Sequence, residues 1–138
     1  MPAKDQFHEA VKNALIKDGW TITHDPLYLQ FGEIDLYVDL GGTKVFGVEK
    51  NGQSIAVEVK SFIQPSRISE FHAALGQYLN YRLVLEVKKP GTVLYLAIYE
   101  DIYNSFFQLL LPQMAIQRYE VNLLIYDPEK EEILEWKN

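Results

Sequence analysis

The sequence contains no cysteine, which excludes a disulfide framework, a thiolate-ligated zinc or iron–sulfur centre and a thiol nucleophile. It also lacks any apolar run near the ~18 residues that a membrane span needs. No apolar stretch of signal length follows Met1-Pro2-Ala3-Lys4-Asp5, so the expected location is cytoplasmic, with no membrane partner. Basic charge is scarce: 13 Lys and Arg stand against 19 Asp and Glu, a net charge of -6. That balance argues against a chain that coats nucleic acid nonspecifically. There is no repeat, no low-complexity segment and no linker rich in Pro, Gly or Ser. The 138 residues are therefore expected to form one domain, 1–138, around one hydrophobic core.

The hydrophobic share is 48% and the charged share 23%, both near globular averages, so a packed core rather than disorder is expected. The acidity is uneven. Residues 1–90 hold ten Lys/Arg and eleven Asp/Glu, whereas residues 91–138 hold three and eight. Any contact with nucleic acid falls to the first part.

Asp5 is a candidate cap for a helix to Lys17 or Asp18, with Phe7, Ala10, Val11, Ala14 and Leu15 as its stripe and Gly19 as its stop. Trp20 to His24 reads as a strand. From Phe31 the period becomes two: Ile34, Leu36, Val38 and Leu40 alternate with Glu33, Asp35, Tyr37 and Asp39. Gly41-Gly42 is expected to turn the chain. Lys50-Asn51-Gly52-Gln53 is expected to join Val45–Glu49 to Ser54–Lys60 as a hairpin. Pro65-Ser66 opens a long helix to about Lys88, ended by Pro90-Gly91. Val93 to Tyr99 reads as a strand buried on both faces. Asp101 caps a further helix, which Pro112 breaks or restarts before Tyr119. Val121–Tyr126 and Ile133–Trp136 are strands around the turn Asp127-Pro128-Glu129-Lys130. The order α-β-β-β-α-β-α-β-β predicts an α/β sandwich with a mixed sheet.

Glu58 and Lys60 interrupt the apolar run Ile55-Ala56-Val57-Glu58-Val59-Lys60. Residues i and i+2 of a strand share a face, so both charges emerge together, opposite Val57 and Val59. Asp35 lies on the polar face of the earlier strand. Side-by-side strands would bring two carboxylates and an ammonium together, a set suited to a hard cation such as Mg2+. Such a cation activates water and stabilises charge on phosphate, with Lys60 orienting the water or neutralising that charge. An ordinary cross-strand ion pair would have the same residues. The strand is followed by a helix with Gln77 and Tyr81 at i, i+4 on one side with Ala74.

Gly32-Glu33-Ile34-Asp35-Leu36, Val57-Glu58-Val59-Lys60 and the Q-x-x-x-Y pattern of Gln77-Tyr78-Leu79-Asn80-Tyr81 resemble the PD-(D/E)XK, or restriction-endonuclease-like, nuclease superfamily. The resemblance implies an αβββαβ core with a mixed central sheet flanked by helices, plus a C-terminal helix and strands. It implies Asp35 and Glu58 as metal ligands with the Val59 carbonyl, Lys60 assisting catalysis, Gln77 lining the site, and Mg2+ or Mn2+ as cofactor. Members of that superfamily also place an acid on the first helix. The equivalent position here is His8, with Glu9 beside it; His8 borders the apolar face and Glu9 points nearly opposite. His8, Glu9 and Tyr81 are thus candidate outer residues of the site.

A longer resemblance runs through Phe7-His8-Glu9-Ala10-Val11-Lys12, Asp18-Gly19-Trp20-Thr21-Ile22-Thr23-His24-Asp25-Pro26-Leu27, Phe71-His72-Ala73-Ala74-Leu75-Gly76-Gln77-Tyr78 and Tyr126-Asp127-Pro128. These segments resemble the XisH family, the fdxN-element excision controlling factors of cyanobacteria. That resemblance implies an accessory role in excision of a DNA element, with XisI and a site-specific recombinase as partners. Two readings stay open: a metal-dependent DNA endonuclease, or a catalytically inactive adaptor.

Elsewhere, His24-Asp25-Pro26 admits a second metal reading but is first a turn. His72 reads as a surface residue, and Tyr95, Tyr99 and Tyr126 as packing around strands. Phe106-Phe107 and Leu109-Leu110-Leu111 read as core around Pro112, with a groove for XisI or a second copy, as in a homodimer, as the alternative.

Overall fold

The computed structural model describes residues 7–44 and 52–138. Helix α1 (His8–Lys17) opens the chain, and the expected cap at Asp5 lies outside the described residues. Gly19 ends the helix in the left-handed region at φ 90°, where the Gly19 and Trp20 amides close on Ile16 and Leu15. Strand β1 (Thr21–His24) follows, then β2 (Leu27–Phe31) and β3 (Ile34–Val38). These last two form a separate two-stranded sheet, with Gly32 at φ 62° in the two-residue turn between Phe31 and Ile34. Strand β4 (Leu40–Lys44) and β5 (Gln53–Val59) pair antiparallel, with Leu40 opposite Val57.

After α2 (Arg67–Lys88), β6 (Val93–Tyr99) enters parallel to β5. A helical segment follows: α3 (Glu100–Asn104), a 3-10 turn (Phe106–Gln108) and α4 (Leu110–Arg118). Strand β7 (Leu123–Asp127) runs parallel to β6, and β8 (Glu132–Lys137) returns antiparallel. The main sheet has six strands in the order β1-β4-β5-β6-β7-β8, so the fold is mixed α/β with helices against the sheet.

Three expectations need correction. The alternating run expected as one strand from Ile34 to Leu40 is split: Leu27–Phe31 forms a strand and draws Ile34–Val38 out of the main sheet. Gly41 and Gly42 do not turn the chain; they lie inside β4, opposite Ala56 and Ile55, because this central pairing continues through them. Asp101 is not the cap of α3: Tyr99 holds that position, and Asp101 lies in the first turn. The Lys50-Asn51-Gly52 turn and Val45–Glu49 fall largely or wholly in 45–51, outside the described residues. Pro112 sits in the first turn of α4, where a missing N–H removes no helical bond.

The sheet has a core on each face, which explains why β5, β6 and β7 read as near-continuous apolar runs. On one face, Ala56, Leu94, Leu96, Ile98, Leu123 and Ile125 meet α2 through Phe71, Ala74, Tyr78 and Leu85. Leu27, Leu29 and Val38 of the small sheet and the Phe106–Phe107 pair complete that core. On the other face, Ile55, Val57, Val59, Tyr95, Ala97, Leu124 and Tyr126 meet Ala10, Val11 and Leu15 of α1. Tyr78 anchors α2 to the sheet: its hydroxyl donates to the Leu94 carbonyl and accepts from the Asn122 amide, both at 3.0 Å.

Candidate functional site

Alternation along β5 sends Ala56, Glu58 and Lys60 toward the α2 face, as Val57 and Val59 pack against the α1 core. The parallel ladder continues one bond past β5, from the Lys60 amide to the Ala97 carbonyl at 3.1 Å. The chain then leaves the sheet through Phe62, whose φ of 56° is unusual for a bulky residue. Its ring is held against Phe106 and Phe107 at centroid distances of 6.1 and 5.3 Å. Glu58 is therefore fixed by a central strand on one side and a packed bend on the other.

Its carboxylate partner is Asp39, which lies at the bend where the chain passes from β3 to β4. Asp39 Oδ2 accepts the Val59 amide at 2.8 Å. Glu58 is 4% exposed. Its Oε1 lies 3.6 Å from Lys60 Nζ, and its buried Oε2 has no hydrogen-bond partner among the described residues. Burial first, and then the negative charge of Asp39, push the Glu58 carboxyl up to about 8; Lys60 and a backbone hydrogen bond at Asp39 oppose this only in part. Burial together with the charges of Glu58 and Asp39 also pushes the half-buried Tyr81 phenol up to about 12, so Tyr81 on α2 faces the same group. Gln77 is exposed one helical turn before it.

The structure separates Asp35 from this group. Asp35 sits on the small sheet opposite Gln30, exposed, and its Oδ1 accepts the Tyr28 hydroxyl at 2.6 Å. The physical reason is that residues 33–40 are not one straight strand. They change sheets at Asp39, and only the last acid of the alternating series reaches β5. Asp39 stood in that series in plain view. The missed signal was Leu27-Tyr28-Leu29-Gln30-Phe31, an alternating run that gives Ile34–Val38 a different partner.

Two carboxylates and an ammonium thus converge, with one buried carboxylate oxygen unpaired among the described residues. This donor set fits a hard divalent cation: Asp39 and Glu58 would supply oxygen donors, and the positive charge would relieve the electrostatic pressure on Glu58. His8 is buried and Glu9 exposed on α1, as their helical positions imply. His8 Nε2 lies 2.7 Å from Asp25 Oδ1, and Lys12 Nζ lies 3.2 Å from Asp25 Oδ2. No helix among the described residues is long and apolar enough to cross a membrane.

Residues 1–134 match the family model of the XisH protein, and the chain belongs to the XisH family. The fold is similar to the crystal structure of an XisH family protein from Nostoc punctiforme PCC 73102, with a TM-score of 0.88 and 48% identity over 97% of this chain and 100% of that one. It is also similar to a fdxN element excision controlling factor protein from Anabaena variabilis, with a TM-score of 0.86 and 49% identity over 96% of this chain and 98% of that one. No match was found among the curated proteins.

Proposed function

We propose that this XisH family member is an excision controlling factor that carries a metal-dependent DNA endonuclease site of the PD-(D/E)XK kind. The convergence of Asp39, Glu58 and Lys60 around a buried carboxylate oxygen with no hydrogen-bond partner among the described residues carries this reading. Asp39 takes the role that the sequence pattern suggested for Asp35. Asp39 and Glu58, with the Val59 carbonyl, would hold Mg2+ or Mn2+. When bound, the cation supplies a more acidic water and positive charge beside a phosphate. Lys60 places its ammonium beside the Glu58 carboxylate, where it favours the anionic form and offsets charge developing on phosphate oxygen. Gln77, exposed on α2, orients the substrate from the helix side, and Tyr81 keeps its proton and walls the site. In the cell this activity would serve a site-specific recombinase, with a XisI-type protein as partner.

The test is cleavage of supercoiled, linear and branched DNA with Mg2+ or Mn2+. Asp39→Asn, Glu58→Gln and Lys60→Ala should abolish metal-dependent cleavage while Asp35→Asn keeps it. Loss in Asp35→Asn with retention in Asp39→Asn would overturn the assignment.

One observation favours the adaptor reading instead. Phe106 and Phe107 are core, but Leu109, Leu110, Leu111 and Met114 are 57%, 76%, 53% and 59% exposed. Such an apolar run at the start of α4 suits a protein partner. A parent that cleaves none of the tested DNA forms, together with loss of recombinase or XisI-type binding in Leu110→Asp, would support it.

A further inference from the structure

At the far edge of the main sheet, three strands from β5, a cleft of about 1040 Å3 opens between the end of α2, the end of α4 and β8. Arg82 and Glu86 of α2, Glu120 just after α4, and Glu135 and Lys137 of β8 line it. It shares no residue with the group at Asp39, Glu58 and Lys60. Glu135 pairs with Ile125 and Lys137 with Leu123, so both β8 side chains lie on the α2 face of the sheet. Among the described residues β8 pairs with β7 alone, which leaves its outer backbone edge open to a further strand. The bulge in β8 falls at Leu134, before the stretch that borders the cleft.

The two cations of the cleft are already engaged. Arg82 donates to the Tyr119 and Glu120 carbonyls at 2.8 and 3.0 Å. Lys137 Nζ lies 3.2 Å from Glu135 and 5.6 Å from the centre of the Tyr103 ring. The Glu86 and Glu120 carboxylates, by contrast, have no ion-pair partner among the described residues. Both stand where helix carbonyls already make the potential negative: Glu86 in the last turn of α2, Glu120 just past the end of α4. Glu120 also has a φ of 52°, a left-handed conformation that glycine adopts at least cost. Its amide closes on Gln117 and that of Val121 on Ile116, the usual glycine-ended helix stop. Solvation alone is served by an acid anywhere on the surface. These two occupy positions unfavourable to negative charge, and both line the cleft.

We propose that the cleft and the adjoining edge of β8 bind an extended basic segment of a partner protein, its backbone adding to Glu135–Lys137 and a lysine or arginine reaching Glu86 and Glu120. Strand addition supplies main-chain hydrogen bonds, and the cleft supplies the choice of side chain. Charge complementarity selects the partner: residues 91–138, which include α4 and β8, hold eight acids against three bases. The same excess repels a nucleic-acid backbone. A second copy of the chain fits poorly, because a two-fold contact repeats one patch on both sides and would set the unpaired carboxylates against each other. Tyr103 and Glu135 already hold the Lys137 ammonium between ring face and carboxylate, so a wall suited to an alkylammonium is in place.

The experiment is fluorescence anisotropy of a labelled peptide of alternating lysine and valine, titrated with the full chain. The parent should bind it and should not bind the matching peptide of glutamate and valine. Glu86→Gln and Glu120→Gln should each weaken binding about two- to fivefold, as expected for an exposed ion pair. Glu129→Gln makes the same change of charge on the β7–β8 turn, outside the cleft, and should leave binding as in the parent. Glu120→Gly should weaken binding as Glu120→Gln does while raising Tm by about 2–4 °C, because glycine relieves the left-handed backbone; lost binding is then not lost fold. The lysine–valine peptide with alternate backbone nitrogens methylated keeps its charge and should bind far more weakly. Absence of binding in the parent overturns the proposal, as does equal weakening by Glu129→Gln and Glu86→Gln, which would mean diffuse attraction only. Undiminished binding of the methylated peptide overturns the strand addition. A parent that sediments as a dimer and becomes a monomer in Leu134→Pro would make the occupant a second copy and overturn the assignment of a basic partner.

Discussion

Replacing Glu58 by Gln should make the protein more stable at alkaline pH while removing its response to Mg2+. The buried carboxyl is raised from 4.5 to about 8 by desolvation and by Asp39. In the unfolded chain it titrates at its ordinary value, so between pH 4.5 and about 8 the folded state binds more protons than the unfolded one. Stability conferred by the neutral carboxyl is complete below pH 4.5 and is lost as pH rises through about 8. At 1.36 kcal/mol per pH unit, the whole span is worth about 5 kcal/mol. Relaxation and water entry around a charged buried group should reduce the measured share to roughly 2–4 kcal/mol.

Urea unfolding at pH values below 5 and near 9 measures this difference directly. Parent stability should fall between them by that amount, and Glu58→Gln, whose amide does not ionise, should show a much flatter profile. Mg2+ adds the second half of the test. A cation favours the charged carboxylate, and at a hundredfold excess over its Kd it would restore about 2.7 kcal/mol. The parent should regain stability at alkaline pH and Glu58→Gln should not. Equal pH slopes in the two proteins would refute the electrostatic argument, and equal Mg2+ responses would refute the cation site.

Other outcomes are equally specific. Asp39→Asn should let Glu58 ionise at lower pH, because a neighbouring negative charge is removed, so the alkaline loss of stability should shrink; Asp35→Asn should leave it unchanged. Tyr78→Phe should destabilise by about 1–3 kcal/mol, read as a drop in Tm, since the hydroxyl joins Leu94 and Asn122 across the buried sheet end. Gly19→Ala should cost about 1–2 kcal/mol in the same melt, because the site demands a left-handed backbone. Leu110→Asp should leave Tm within about 0.5 kcal/mol of the parent in stability terms, as an exposed position outside the core.

The helices and the two-faced strands were legible because burial writes itself into periodicity. Val93–Tyr99 has no polar residue to mark an outer face, and the structure gives it a core on both sides. Gly19 and Pro90-Gly91 marked helix ends through backbone conformation alone. Glu58 and Lys60 were visible as charges where the pattern demanded apolar residues. The partner acid was harder. Glu33, Asp35 and Asp39 share one alternating face, and periodicity cannot say where along it a strand changes partners. The register of β4 on β5, Leu40 opposite Val57, brings residue 39 beside Glu58; that register is set by tertiary packing. The His8–Asp25 pair was equally out of reach, since 17 residues and a helix end separate its members.

The bend at Asp39 joins two sheets that share no strand pairing. The β2–β3 hairpin is therefore a lever whose fulcrum carries a carboxylate. A load on that arm would reach β5 both through the core residues Leu27, Leu29 and Val38 and through Asp39, whose carboxylate accepts the Val59 amide. The position of Glu58 beside the unit that carries Asp39 is thus tied to how the small sheet sits on the main one.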